Sequence, residues 1–384
     1  MAPELALRRL PRPHPRGRKK VVLDPMMGSG TIPVMAALRG YQAIGFDIDP
    51  LALLIARTWG RPLKVEGYVS VADAVVESAR RSRLSRFRSD SETEAFVDYW
   101  FDCEAKAKLV KLAASIEAAP DRYRAALWCA FSRLIITKDA SVSLARDVSH
   151  SRPHRVRDKA LVDPLTRFPA AARNIARRHA RLAADRPAAK LLRLGKGDAR
   201  ALPLDDRSVD FAMTSPPYLN AIDYLRGHRL SLVWMGYRLG ELRELRAEAI
   251  GSERGHWENS ELEPVLQGVV APNISDRAKA LLLRYALDLD DVLAEQARIL
   301  RRDGRLTLVV ADGVLVGTPV RVARLCVQVA RRHGFRVTSR RSRDLPSARR
   351  YLPPPLAGSK GDLHRRMRVE TALTFALGRS RGVG

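Results

Sequence analysis

The sequence predicts a doubly wound α/β fold, built on a mostly parallel sheet that one large helical insertion interrupts. Two strand–turn–helix units follow one another near the N-terminus, at residues 21–40 and 42–60. Strand-like apolar segments return only after residue 191, and residues 61–190 between them have mainly helical patterns. Alternating strands and helices are typical of a parallel sheet with helices on both faces. The long helical block therefore indicates an insertion into such a sheet.

The N-terminal units show the expected order of elements. The apolar segment VVLDP predicts a buried strand, GSGT a turn, and IPVMAALRG a helix that ends at Gly40. AIGFDID predicts a second strand, and the next helix carries Pro50 in its first turn. Asp49 directly precedes that proline and is expected to cap the helix.

Further strands are predicted in the second half of the chain, in LLRLGKGDARAL, SVDFAMT and RLTLVVADG. The amphipathic helix ALLLRYALDLDDVLAEQARILRR is expected to end at Asp303–Gly304. Residues 240–280 are charged and contain glycines, which indicates a mobile excursion, and FRVTSRR with RVETALTFALG predicts a closing hairpin. The predicted domains are a basic N-terminal segment (1–20), an α/β core (21–60 and 191–384) and the helical insertion (61–190).

The insertion contains long helical segments, and TEAFVDYWFDCEAKAKLVKLAASIEAA reads as one continuous helix. Two aromatic pairs, Phe96 with Trp100 and Trp128 with Phe131, are spaced one helical turn apart, which favours core packing. The helix AARNIARRHARLAADR is basic and forms either a phosphate-contact face or an ordinary solvated surface. The insertion is therefore a candidate for target recognition.

The segment SHSRPHRVRDK (149–159) is basic and rich in turn-forming residues. It suits phosphate contacts, and a solvated loop between two helices is the alternative. We expect no metal site there, because Pro153 interrupts a helix that would align His150 and His154 with nearby carboxylates.

The composition favours an anionic partner. The net charge is +26, and 46% of the residues are hydrophobic, which is enough for a sizeable core. Nucleic acid is the first candidate and a membrane surface the second, although an arginine-rich composition also follows from a GC-rich genome. Three widely separated cysteines predict reduced thiols in a cytoplasmic protein. No apolar run approaches the roughly 20 residues that span a bilayer, and the N-terminus lacks the apolar region of a signal peptide.

The segment DPMMGSGT, followed by GFDIDP, has the arrangement of a cofactor site. Gly28 and Gly30 allow a sharp turn and close approach to a ligand, before a helix whose N-terminus follows Thr31. Asp47 ends the second strand, where a ribose hydroxyl pair is usually accepted. The loop has no basic residue and Asp24 precedes it, so it suits a ligand with a positive centre. S-adenosylmethionine fits, and an ordinary βα turn is the alternative.

The segment TSPPY follows a strand at the edge where open α/β sheets bind ligands. Pro216 and Pro217 stiffen the loop and donate no N–H, so the hydroxyl and carbonyl of Ser215 and the carbonyl of Pro216 are acceptors. Two acceptors can hold the hydrogens of an exocyclic amino group and direct its lone pair to a methyl donor, while Tyr218 stacks on the base. A Pro-Pro turn with a buried tyrosine is the alternative. Asp223 and Tyr224, further on, are candidates to line the target pocket, and the alternative for Asp223 is a cap of the next helix.

Together, DPMMGSGT, GFDIDP and TSPPY resemble the amino-group DNA methyltransferases, which form N4-methylcytosine or N6-methyladenine. The resemblance covers residues 21–60 and about 194–238 well, and residues 285–377 loosely. It implies a Rossmann-like methyltransferase sheet in which the glycine segment binds S-adenosylmethionine and the SPPY loop holds a flipped base. The residues it places at the cofactor are Gly28, Ser29, Gly30, Asp47 and Asp198, and those at the base are Ser215, Pro216, Pro217 and Tyr218. Asp24, Thr31 and Ile48, which adjoin the same two segments, complete the predicted cofactor-binding residues.

The resemblance also implies a target and partners. Serine before the prolines favours cytosine N4 over adenine N6, in double-stranded DNA with the target base flipped. A cognate restriction endonuclease, as in restriction–modification, is a candidate partner. The alternatives are an adenine-N6 DNA methyltransferase, an RNA amino-methyltransferase and a DNA-binding relative without catalysis. The last is favoured by one departure, because the aromatic segment that usually precedes the first strand of the family is missing.

Overall fold

The computed structural model describes residue 10 and residues 18–137, 140–148, 153–182, 189–219, 223–252, 260–272, 274–315, 318–344 and 369–378. His150 and the YLPPPLAGSKGD loop lie outside these residues. Contacts divide the chain into two compact units. We call Met1–Ile48, Lys190–Ile222 and Ala247–Gly384 the sheet unit, and Asp49–Ala189 with Asp223–Arg246 the helical unit.

The strands are β1 (Val21–Asp24), β2 (Gln42–Asp47), β3 (Ala145–Arg146), β4 (His154–Arg155), β5 (Leu192–Lys196), β6 (Val209–Thr214), β7 (Leu300–Ala311), β8 (Gly313–Leu315), β9 (Thr318–Val320), β10 (Phe335–Asp344) and β11 (Val369–Leu377). The α-helices are α1 (Thr31–Leu38), α2 (Pro50–Gly60), α3 (Val65–Arg81), α4 (Ser91–Trp100), α5 (Cys103–Glu117), α6 (Asp121–Ile135), α7 (Pro164–Leu182), α8 (Tyr224–Leu232), α9 (Leu239–Glu248), α10 (Asp276–Ile299) and α11 (Val322–Arg332).

The sheet unit is built on seven strands in the order β10-β11-β7-β6-β1-β2-β5. Neighbouring strands from β7 to β5 run parallel, whereas β11 is antiparallel to both β7 and β10. The chain passes from β1 to β2 and β5 on one side, and then returns to β6 and β7 on the other. The predicted fold class, a doubly wound and mostly parallel Rossmann-like sheet, is confirmed, and so is the predicted closing hairpin. The reversal places a topological switch point between β1 and β6.

Continuous apolar runs bury the central strands of this sheet. Val22 and Leu23 of β1 are completely buried, as expected for a strand covered on both faces. On β2, Gly45 allows close packing of the chain that follows β1. A Cβ atom at Gly45 would lie 2.5 Å from the Met27 sulfur, 2.9 Å from Cγ of Pro33 and 3.0 Å from a methyl of Leu194. The absence of a side chain at Gly45 therefore sets the spacing between β2 and the segment that carries the glycine loop.

We expect Gly45→Ala to lower the free energy of unfolding by about 1–3 kcal/mol, because the added methyl group overpacks a filled space. Thermal and urea unfolding followed by circular dichroism would measure the change. Gly240→Ala is the matched control, since its added Cβ would meet only an Arg243 nitrogen at 3.8 Å. That helical substitution should leave stability equal or raise it by roughly 0.5–1 kcal/mol. Equal behaviour of the two variants would contradict the close-packing role.

The helical unit has its own core. Trp128 and Phe131 are both buried, as predicted for that pair, whereas in the other pair Trp100 is buried and Phe96 is half-buried. The helix expected over residues 93–119 is instead two helices, α4 and α5, that meet at Asp102. The carboxylate of Asp102 accepts a hydrogen bond from the Ala105 N–H at 2.8 Å and so starts a new helix.

The unit boundaries differ from the predicted domain boundaries. Residues 49–60 and 223–246 belong with the helical unit by contacts, because α2 and α8 both pack against α6. The segment 240–280, for which a mobile excursion is predicted, contains most of α9 (Leu239–Glu248) and the start of α10 at Asp276.

The end of α10 also differs from the prediction. The helix stops at Ile299, and β7 begins at Leu300, ahead of the Asp303–Gly304 pair that was expected to end the helix. A register irregularity against β6 accommodates the pair, because Val209 is opposite Leu300 whereas Phe211 is opposite Arg305. Among the described residues, no helix has the length and apolar character needed to cross a membrane.

Candidate functional site

The two chemical motifs leave the sheet side by side. DPMMGSGT continues from β1, and TSPPY begins with the last residue of β6. These strands pair in parallel, with Val22 opposite Phe211 and Leu23 opposite Ala212. Because the carboxyl ends of parallel strands share one edge, Asp24 and Thr214 both lie at the switch point, where sheets of this kind bind ligands.

The glycine loop is held by its backbone. Gly28 and Gly30 adopt positive φ angles of 50° and 77°, which favour glycine. The Met27 N–H donates to the Phe46 carbonyl at 2.9 Å, and the Gly28 N–H donates to Asp47 Oδ2 at 2.8 Å. A Cβ atom at Gly28 would meet no other atom within 4 Å. Asp47 therefore ties the loop to β2, and the space beside Gly28 is open to a ligand.

The remaining predicted cofactor residues flank this loop. Ser29 is exposed, Thr31 and Ile48 are half-buried, and the hydroxyl oxygens of Ser29 and Thr31 are 3.4 Å apart. Gly30 caps α1 with its backbone alone, since no side chain bonds to the first turn of the helix. The N-terminus of α1 therefore begins directly after the loop, as predicted.

Asp24 is the most unusual group at this edge. Its side chain belongs to a residue only 3% exposed, and its Oδ1 accepts a hydrogen bond from the Met26 N–H at 3.2 Å. Burial raises the pKa of the Asp24 carboxyl to about 7, against the opposing effects of the Thr214 hydroxyl and the Met26 N–H. A cation beside this carboxyl would favour its ionised form. Asp24 therefore suits a ligand with a positive centre.

Three contacts fix the TSPPY loop to the surrounding sheet unit. The Ser215 hydroxyl donates to the Val309 carbonyl on β7 at 3.0 Å. The Tyr285 hydroxyl on α10 donates to the Pro217 carbonyl at 2.9 Å. The Tyr218 hydroxyl donates to Glu370 Oε1 on β11 at 2.8 Å. These bonds hold the loop on both sides, so its exposed groups are presented in fixed positions.

Glu370 and Tyr285 are anchors that the sequence did not reveal. Glu370 is 4% exposed, and its second carboxylate oxygen accepts a 2.8 Å bond from Nε of Arg343 on β10. Burial raises the pKa of Tyr285 well above its ordinary value, so its hydroxyl remains a donor. Glu370 lies 152 positions from Tyr218, and no local motif marks either anchor.

Asp198, which the resemblance assigns to the cofactor adenine, is engaged by a neighbouring arginine. Both of its carboxylate oxygens lie 3.1 Å from Nε of Arg200, and Nη2 of Arg200 donates to Oδ2 at 2.7 Å. Arg200 also bonds to the buried Asp288 at 2.7 Å. A hydrogen bond from the cofactor adenine to Asp198 would therefore use the carboxylate lone pairs that Arg200 does not occupy.

Two other acidic residues are helix caps. Asp49 accepts from the Leu51 N–H at 2.9 Å, as predicted, with Pro50 in the first turn. Asp223 accepts from the Arg226 N–H at 3.2 Å, which confirms the capping alternative for that residue. Asn220, Ala221 and Ile222, between the loop and α8, lie outside the described residues. In the described part of the chain, no group of three histidine, cysteine or acidic side chains forms a metal site.

The residues at the switch point fit S-adenosylmethionine. Open space borders the glycine loop, a buried carboxyl with a pKa of about 7 ends β1, and a second carboxylate ends β2. The buried carboxyl suits the positive centre of this cofactor, and the second carboxylate suits its ribose. None of the residues of the loop itself, Pro25–Thr31, is basic, so no side chain of the loop is suited to a pyrophosphate.

No family model matches the sequence, and no curated protein sequence matches it. Among solved structures, the chain is similar to a SAM-dependent methyltransferase from Methanosarcina mazei, with 9% identity, coverage of 94% of both chains and a TM-score of 0.34. A TehB-like SAM-dependent methyltransferase from Corynebacterium glutamicum is 11% identical, with 98% and 86% coverage and a TM-score of 0.31. The rRNA methyltransferase aviRa from Streptomyces viridochromogenes is 12% identical, with 97% and 81% coverage and a TM-score of 0.28. The assignment of the fold therefore rests on the strand order and register described above.

Proposed function

We propose that this protein methylates an exocyclic amino group of a flipped DNA base, with cytosine N4 as the preferred target and S-adenosylmethionine as the methyl donor. One observation carries the proposal: the two candidate loops leave the ends of adjacent parallel strands, β1 and β6, at the switch point of the sheet. A methyl donor on the first loop and an amino group on the second would be neighbours at this edge. Catalysis would then come chiefly from their alignment.

The hydrogen bond of Ser215 supports an amino group as the target. Because its hydroxyl hydrogen is directed at the Val309 carbonyl, the Ser215 oxygen has only lone pairs to offer a ligand. A base carbonyl would find no donor on this side chain, whereas an exocyclic amino group would donate to it. The rigid Pro216–Pro217 pair keeps this acceptor in place, and Tyr218 offers an aromatic face for stacking.

The chemistry requires no covalent nucleophile on the protein. When bound, the cofactor supplies a methyl group whose bond to sulfur breaks as the bond to nitrogen forms, while the amino group releases its proton to water. Burial raises the pKa of Cys129 to about 11 and that of Cys326 to about 12, so these thiols stay protonated and unreactive at neutral pH. None of the three cysteines, Cys103, Cys129 and Cys326, follows a proline in a strand-end loop, so a cysteine-dependent C5 mechanism is disfavoured.

The proposed partner is double-stranded DNA, because the target amino group is accessible only after base flipping. The positive charge of the chain supports such a partner. We retain residues 61–190 as the candidate recognition region, and a cognate restriction endonuclease as a candidate partner.

Methyl transfer from labelled S-adenosylmethionine to DNA and to RNA, followed by nucleoside analysis, tests the proposal. We expect N4-methylcytosine in DNA, and a loss of about 100-fold in Ser215→Ala with unchanged cofactor binding. N6-methyladenine in DNA would correct the base, and methylation of RNA alone would overturn the choice of substrate. A folded sample that binds no S-adenosylmethionine would refute the enzymatic assignment.

A further inference from the structure

The helical unit contains a cavity of about 190 Å³ that opens to the surface and is lined by residues of α2, α6, α7 and α8. The apolar part of its lining, which we call the floor, comprises Leu51, Ile55 and Trp59 of α2 and Ile175 of α7. Leu51 and Ile175 are buried, whereas Ile55 and Trp59 are half-buried, and the Trp59 ring stacks on His179 with centroids 5.0 Å apart. An aromatic or aliphatic group would find a complementary surface here.

The size of the cavity limits its occupant. An apolar cavity of roughly 150 Å³ can hold a benzene molecule, so about 190 Å³ accommodates one substituted six-membered ring. A single nucleobase meets this limit. The opening of the cavity to the surface allows the remainder of such a ligand to stay in solvent.

The rim of the cavity is positively charged. Arg133 of α6 and Arg178 of α7 are exposed side chains that line it, together with Asn174. Within the described residues, neither arginine takes part in an ion pair or a side-chain hydrogen bond, in contrast to Arg173, which pairs with Asp73 at 3.2 Å. Two guanidinium groups that have no carboxylate partner among the described residues, both at one opening, are suited to an anionic group.

His228 also lines the cavity, and it adds polarity without adding to the positive charge of the two arginines. Nδ1 of His228 lies 2.5 Å from Asp49 Oδ2, so a protonated His228 is balanced by that carboxylate. The charge excess at the rim therefore resides on Arg133 and Arg178.

The surface around the cavity extends the positive charge. Helix α7 has five arginines (Arg167, Arg173, Arg177, Arg178 and Arg181) and no acidic residue. All five are exposed, while its opposite side, with Phe168, Ala172 and Ile175, is buried. An extended polyanion would therefore meet positive charge on both the rim and the neighbouring turns of α7.

We propose that this cavity binds one nucleotide of a nucleic-acid strand, with the base over the apolar floor and its phosphate between Arg133 and Arg178. The inference rests on the proposed function in taking nucleic acid as the substrate, and it adds a second nucleotide site to the molecule. Phosphate recognition by paired arginines fixes the strand, and the base contact makes the site selective for an unstacked nucleotide.

The test measures binding of a single-stranded oligonucleotide and of a duplex to the full chain, at several salt concentrations. The variant Arg133→Gln/Arg178→Gln removes both rim charges. Its matched control, Arg167→Gln/Arg173→Gln, removes two charges from exposed positions of α7 that do not line the cavity. We expect the rim variant to bind about tenfold more weakly than the control, with a salt slope lower by roughly one phosphate contact.

A second variant separates the base from the phosphate. Ile55→Phe fills the half-buried floor and leaves every charge in place, so it should weaken oligonucleotide binding without changing the salt slope. Wild-type binding by Ile55→Phe would overturn the base contact, and equal loss in rim variant and control would overturn the phosphate contact. Binding of deoxycytidine monophosphate and of inorganic phosphate is measured separately. If the free nucleotide binds as tightly as the oligonucleotide, the proposal that the site binds a nucleic-acid strand is overturned.

The same samples distinguish this inference from the proposed function. S-adenosylmethionine binding and methyl transfer are measured in parallel, and the rim variant should retain full cofactor affinity. Selective loss of strand binding in a protein that methylates nothing would refute the proposed function and uphold the inference. Conversely, a rim variant that transfers methyl groups and binds the strand with wild-type affinity would refute the inference and uphold the proposed function.

Discussion

Asp24→Asn should stabilise the cofactor-free protein above pH 7 and at the same time weaken S-adenosylmethionine binding by more than tenfold. Burial raises the pKa of this carboxyl from 3.8 to about 7. The folded state therefore holds the proton between these pH values while the unfolded state has released it. Stability of the wild type falls as pH rises through this interval, by up to about 4 kcal/mol.

Asparagine removes the ionisation and keeps the shape and the oxygen that accepts from the Met26 N–H. The two proteins should thus be similarly stable near pH 4 and diverge as the pH rises to 8. Binding is expected to move the other way, because only the ionised carboxylate attracts a positive centre. Wild-type affinity for the cofactor should accordingly fall below pH 7.

Urea unfolding from pH 4 to 8 and isothermal titration with S-adenosylmethionine measure both effects. Asp205→Asn, at an exposed position of the sheet unit, serves as the control and should alter neither. A variant that gains no stability at pH 8 would show that Asp24 is not a buried carboxyl. Undiminished cofactor affinity in Asp24→Asn would show that the positive centre of S-adenosylmethionine does not bind beside this carboxyl.

Tyr218→Ala should reduce methyl transfer about 100-fold and change cofactor affinity by less than twofold. Under the proposed function, the lost interaction would be stacking on the target base, which contributes about 1–3 kcal/mol. The maximal rate and the Michaelis constant for DNA, measured together with direct cofactor binding, check this result. Loss of cofactor binding in the same proportion would contradict a role confined to the base.

The hydroxyl of Tyr218 gives a finer test. Tyr218→Phe removes the donor and Glu370→Leu removes the acceptor of the 2.8 Å bond between these side chains, while the ring remains. Each should lower the rate about tenfold, and the double variant should lose no more than either single variant, because both act through one contact. Additive losses would show that Glu370 acts on the reaction independently of Tyr218.

Local sequence was enough to predict the local parts of the molecule. Pro50 after Asp49 marked the start of a helix, and Gly40 marked the end of another, because capping depends on neighbouring residues alone. The apolar runs around Leu23 and Ala212 predicted buried strands. The same reasoning merged α4 with α5, since the amphipathic pattern continues past the break at Asp102.

Contacts between distant residues were decided only by the tertiary structure. The pairing of β1 with β6 places Asp24 beside Thr214, and burial there moves the pKa of the carboxyl to about 7. The Tyr218–Glu370 bond joins residues 152 positions apart, and the cavity with Arg133 and Arg178 at its rim is enclosed by residues of separate helices. The sequence by itself determined most strands and helices of the sheet unit and the residues that follow β1 and β6 in the two loops, because propensity and capping act over a few residues. Burial, charge balance and the neighbours of each loop depend on distances through space, which no periodicity along the chain encodes.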